Sequence, residues 1–180
     1  MASFQNNGWQ GAIKDLKTDI YVMNVDTPLQ RTLVAENGGW PTWGSDDVLF
    51  FHRNDGGKDG FFGVYRVVIR DVGTKGNIRE AAKRVTPEKV NAMTPAAINA
   101  TTVAAAVIRK TLDFGVVQAE AQYRHIEIFD STAGPEESMK VTFKTMPKAD
   151  HFNPFVIDGG NRIGYHRCTS DRLMVRISFT

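Results

Sequence analysis

Pro154–Arg167 reads PFVIDGGNRIGYHR. A proline opens a short apolar run. Asp158, Gly159, Gly160 and Asn161 follow, and a second run ends in the triplet Tyr165-His166-Arg167. The runs have strand length and are rich in β-branched and aromatic residues, while Asp-Gly-Gly supplies the positive φ that a tight hairpin turn requires. Proline fits the first residue of a strand, where no ladder donor is lost. The stretch therefore predicts a β-hairpin.

Working outward, Pro41–Arg53 (PTWGSDDVLFFHR) has the same plan, and Pro95–Lys110 (PAAINATTVAAAVIRK) is a plainer version of it. The alanines of the middle copy would tolerate a helix. The polar cluster Asn99–Thr102 splits that segment into two short runs, so strands are expected there too. The three prolines stand 54 and 59 residues apart, and an arginine closes each hairpin: Arg53, Arg109 and Arg167. Each hairpin is followed by a loop and a strand (63–67, 125–129, 173–177). The N-terminal run 20–25 has the same character. Short basic-apolar strands recur at 31–34, 83–86 and 140–143. The repeat is thus four antiparallel strands, the size of a propeller blade. The expected class is all-β: a propeller of four-stranded antiparallel blades, with a sandwich as the alternative. Residues 1–18 form an N-terminal extension and 19–180 carry the repeats, with hairpins at 41–53, 95–110 and 154–167.

Composition excludes several classes. Twenty-two basic against 20 acidic residues give a net charge of +2, too balanced to expect nucleic acid as a partner. No apolar run approaches the ~18 residues of a membrane span, and no secretory leader is visible, so a soluble, cytoplasmic protein is expected. The single cysteine, Cys168, cannot form an internal disulfide. It reads as a small, partly buried residue. His166, two positions away, is weak support for a reactive thiol.

The hairpin Pro41-Thr42-Trp43-Gly44-Ser45-Asp46-Asp47 and the strand Asp19-Ile20-Tyr21-Val22-Met23-Asn24 resemble the TolB-like propeller repeat. That repeat carries a Pro-x-Trp-Ser-Pro-Asp-Gly hairpin and an Ile-Tyr-Val-Met-like strand. This chain keeps Pro, Trp and the first Asp, and departs at the Ser-Pro pair and the final Gly. The whole is also similar to the propeller domains that precede dipeptidyl-peptidase-type hydrolases, and to plant TolB-related proteins. The resemblance covers roughly residues 19–177. It implies a fold and no particular activity. The strands amount to about three blades where propellers have roughly 4–8. Either a longer protein or a two-fold dimer, half of a six-bladed ring from each copy, would complete the ring.

In such a blade the end of the second strand shares a rim with the start of the first. Trp40, Thr94 and Asn153 would then lie with Arg53, Arg109 and Arg167. The arginines, Trp40 and Asn153 make a candidate site for a small anionic ligand or a protein. The structural alternative is that each arginine bonds a neighbouring blade. His52, His151 and His166 are the catalytic candidates. His52, His151 and His166 with Asp150 or Asp46 form at best a weak metal set, His151, His166 and Asp150 foremost, since no HxH or HxxxH spacing occurs. His125 lies in another strand type and is expected to stand apart. No GxSxG, P-loop, GxGxxG after a strand, or CxxC is present. The expected function is a self-associating binding module without a cofactor. The alternative is a propeller hydrolase or lyase using a His/Arg cluster near the axis.

Overall fold

The structure, a computed structural model, describes residues 18–54, 61–70, 78–79, 81–109, 123–146 and 148–169. Their regular structure is antiparallel β-strand, apart from one 3-10 turn at Asp158–Gly160. The first sheet pairs β1 (Ile20–Met23) with β2 (Arg31–Ala35). The second runs β3 (Gly38–Trp43), β4 (Val48–Asn54) and β5 (Phe62–Arg70), and β5 also pairs with β6 (Ile78–Arg79) and β7 (Lys83–Arg84). The third takes β8 (Asn91–Ala97), β9 (Thr102–Ile108), β10 (His125–Asp130) and β11 (Ser138–Lys140) in chain order. The fourth pairs β12 (Ala149–Ile157) with β13 (Arg162–Thr169). The expected strand at 173–177 and most of the expected N-terminal extension lie outside the described residues. Thr18 does not stand apart: its hydroxyl donates to the Gly38 carbonyl at 2.8 Å.

The local chemistry explains the hairpins. In the middle one, Asn99 Oδ1 accepts the N–H groups of Thr101 and Thr102, both at 2.9 Å. That turn outweighs the helix propensity of the alanines on either side. Asp158, Gly159 and Gly160 all take positive φ in the last hairpin, as its turn sequence requires.

The sheets stack face to face in chain order, with an apolar layer in each gap. Ile20, Val34 and Ala35 of the first sheet meet Leu49, Phe51, Tyr65 and Val67 of the second. The opposite face of the second, with Val48, Phe50 and Val64, meets Ala92, Val103, Ala105 and Val107 of the third. Ala104, Ala106 and Ile126 then face Phe152 and Ile163 of the fourth. Side chains alternate across a strand. The continuous apolar runs of β4 and β9 therefore serve two gaps at once. Phe50 and Phe51 are fully buried on opposite faces, which stabilises the stack by about 2–3 kcal/mol each. Small alanines suit β9, which is enclosed on both sides.

Polar bonds repeat as regularly as the apolar layers. Thr86 Oγ1 accepts the Val64 N–H and Thr142 Oγ1 accepts the Ile126 N–H, both at 3.0 Å. Between sheets, Asn91 Oδ1 accepts the Phe62 N–H at 2.9 Å, and Asp150 Oδ1 accepts the Arg124 N–H at 2.7 Å. Each bond supplies an acceptor for a backbone donor that the ladder leaves open.

Candidate functional site

The first strand of each hairpin carries the same irregularity. Trp40, Thr94 and Asn153 adopt φ of 55°, 49° and 47°. Each precedes a proline, and each sits at a break in register: between Gly39 and Thr42, Met93 and Ala96, and Phe152 and Phe155. The prolines therefore lie at bulges inside β3, β8 and β12, not at strand starts as expected. A bulge already interrupts the ladder, so the missing N–H costs nothing there. Left-handed backbone is unfavourable for Trp and more so for β-branched Thr, by roughly 1–2 kcal/mol. Strain of this kind often gathers at functional sites.

Residues from all three bulges line one cleft of about 700 Å³, among them Trp40, Pro41, Trp43, Pro95, Pro154 and Phe155. Trp40, Trp43, Phe155 and Ile157 each keep about half of their surface exposed along it. Of the predicted ligand-binding residues, Trp40 lines this cleft, and Asn153 directly precedes its wall.

The arginines lie elsewhere and are not equivalent. Arg53 stands opposite Gly38, and Arg167 opposite His151, each partner two residues before a bulge residue. In the middle hairpin that place belongs to Val107, opposite Ala92. Arg109 lies two residues further on. The first and middle hairpins share one register, with Trp43 opposite Leu49 and Ala97 opposite Val103, so Arg109 falls beyond the place of Arg53. Arg109 is committed to Glu127: Nε reaches Oε1 at 3.0 Å and Nη2 reaches Oε2 at 2.6 Å. This hydrogen-bonded pairing holds the Arg109 pKa above its ordinary value. Arg53 stacks its guanidinium 4.8 Å from the Tyr65 ring centre and 5.1 Å from that of Phe51. It lines a second cleft of about 440 Å³. Arg167 is exposed, with Nη1 3.0 Å from Met146 Sδ. No partner is shared among the three.

The three predicted histidines also go separate ways. His52 packs against Trp40 and Phe62, and its Nδ1 accepts the Thr94 N–H at 3.2 Å, bridging the second and third sheets. Burial lowers its pKa to about 4. His166 is exposed and lies edge-on to Phe152. His151 is fully buried against Tyr165 and, contrary to the expectation for His125, against the His125 ring, 5.5 Å away. Burial first, then His125, holds the His151 pKa below its ordinary value.

Asp150, the carboxylate of the weak metal set, is turned to Arg124, whose backbone N–H and side chain both reach it. Asp46 makes no set with the histidines. Among the described residues no three His, Cys, Asp or Glu side chains gather as metal ligands. The sequence reading set His125 apart from the other histidines and missed Glu127 and Asn91. Only the recurrence of a polar residue three positions before each bulge residue (Asn37, Asn91, Asp150) could have flagged the last of these.

Compared with protein-family models, with curated proteins and with solved structures, the chain finds no match.

Proposed function

We propose that this chain is a segment of a β-propeller that serves as a binding module and associates with a second copy of itself. The single observation that carries this is the threefold recurrence of a left-handed residue, a proline and a bulge along one cleft, where a propeller would have its axis. Consecutive antiparallel strands stacked in chain order agree with blades, and with the TolB-like resemblance. A protein or a small anionic ligand is the expected partner: apolar side chains line the cleft, and arginines sit at the opposite ends of the hairpins.

Self-association rests on a sheet face that stays half-exposed among the described residues. Phe50 in the second sheet and Ala104 in the third are covered by the sheet that follows. Gly164 has the corresponding register in the fourth sheet, where Phe155 lies over it and stays half-exposed beside Ile157. A second copy's β1–β2 layer, with Tyr21 and Met23 exposed, offers a matching apolar face. The hydrolase or lyase reading ranks second, because His52, His151 and His166 each pack against different partners.

Sedimentation equilibrium tests the module. The expected species at micromolar concentration has twice the 20.0 kDa chain mass. Phe155→Asp with Ile157→Asp should return it to a monomer with an unchanged far-UV spectrum. A wild-type monomer throughout that range would remove self-association from the proposal.

A further inference from the structure

Arg53 and Arg109 differ in what answers their charge. Glu127 stands opposite Lys140 of the outer strand, and the residue in the same register of the second sheet, opposite Arg84, is Tyr65. Arg109 thus meets a carboxylate where Arg53 meets an aromatic ring. No carboxylate among the described residues pairs with Arg53, and its Nε is buried without an acceptor. Its side chain lines the cleft together with Ala35, Asn37 and Ala82. Stacking on Tyr65 and Phe51 fixes the plane of the guanidinium, so its fork is oriented before a ligand arrives.

We infer that this cleft binds a carboxylate, held end-on by Arg53, in the role that Glu127 fills inside the neighbouring sheet. A planar carboxylate matches the guanidinium edge with two parallel hydrogen bonds. Glu36, exposed on the cleft wall, opposes a dianion such as phosphate more than a monoanion. The inference rests on the ligand-binding part of the proposal above and is independent of self-association.

Arginine side-chain ¹⁵N NMR tests it, with sodium acetate, sodium phosphate and sodium chloride as probes. The Arg53 Nε signal should shift saturably with acetate. Arg109 should not respond, and exposed Arg167 should drift linearly, as with chloride. Arg53→Lys should weaken acetate binding about tenfold, since a point charge replaces the bidentate fork. Glycylglycine and its amide separate the sources: binding of the free dipeptide as well as acetate assigns a peptide terminus, and acetate alone assigns a small acid. Either supports the inference. An Arg53 signal that follows chloride, stays still, or prefers phosphate overturns it. Should Arg53→Lys not fold, the wild-type titrations decide alone. A dimer that ignores acetate sinks this inference and leaves the module standing, and a monomer that binds acetate does the reverse.

Discussion

Protonating His52 should loosen the junction between the second and third sheets. Its Nδ1 accepts the Thr94 N–H, and a protonated ring would set a donor against that donor. The folded-state pKa is lowered by burial to about 4 from 6.5. The unfolded chain therefore binds more protons between those values. The stability contribution is complete above about pH 6.5 and is lost as pH falls, with no further slope below about pH 4. At about 1.4 kcal/mol per pH unit, the loss between about pH 7 and pH 5 comes to about 2 kcal/mol. His52→Asn keeps an acceptor at the δ position and does not titrate. Urea unfolding of both proteins at the two pH values isolates the effect, because His151 and the carboxylates contribute equally to each and cancel in the difference. Wild type should lose about 2 kcal/mol more than the variant over this interval. Equal losses would refute both the burial argument and the bridging role of His52.

Three further outcomes follow from other contacts. Thr94→Gly should raise the unfolding midpoint by the equivalent of about 1 kcal/mol, since glycine accepts positive φ and the N–H to His52 is kept; chemical denaturation measures it. Thr142→Val keeps the shape but leaves the buried Ile126 N–H without an acceptor, and should cost about 1–3 kcal/mol in the same assay. Asp150→Ala removes an acceptor and an ion pair where Asn91→Ala removes an acceptor alone, so it should destabilise more; hydrogen exchange at the Arg124 and Phe62 amides would rise respectively in each variant.

What the sequence disclosed and what it hid have a common physical basis. Proline and the Asp-Gly-Gly turn act on their own backbone, so Pro41, Pro95, Pro154 and residues 158–160 declare themselves without knowledge of any neighbour. Register does not. Arg109 was grouped with Arg53 and Arg167 because each closes a hairpin, but cross-strand pairing gives the place of Arg53 to Val107 in the middle one. The bulge residues are Trp, Thr and Asn. Of these only Asn is favoured at positive φ, so residue type gives no signal. The His125–His151 contact joins strands of different sheets and exists only because those sheets stack. Asn91 drew no attention because its partner is a backbone N–H, which every residue but proline has.

A stack of sheets also explains why so few of the conspicuous polar side chains remain available for a ligand. The gaps between the second and third and the third and fourth sheets hold backbone donors that no ladder satisfies. Asn91, Asp150 and His52 are used to answer them, and Thr86 and Thr142 answer open donors within their own sheets. Glu127 is used on Arg109. Recurrence along the chain thus marks the residues that close gaps, since each gap poses the same problem. Function is then better sought where the recurrence fails. Arg53 has no counterpart of Glu127, and Trp40, Trp43, Phe155 and Ile157 stay about half-exposed along one cleft. These exceptions are the groups that the fold leaves partly open to a ligand.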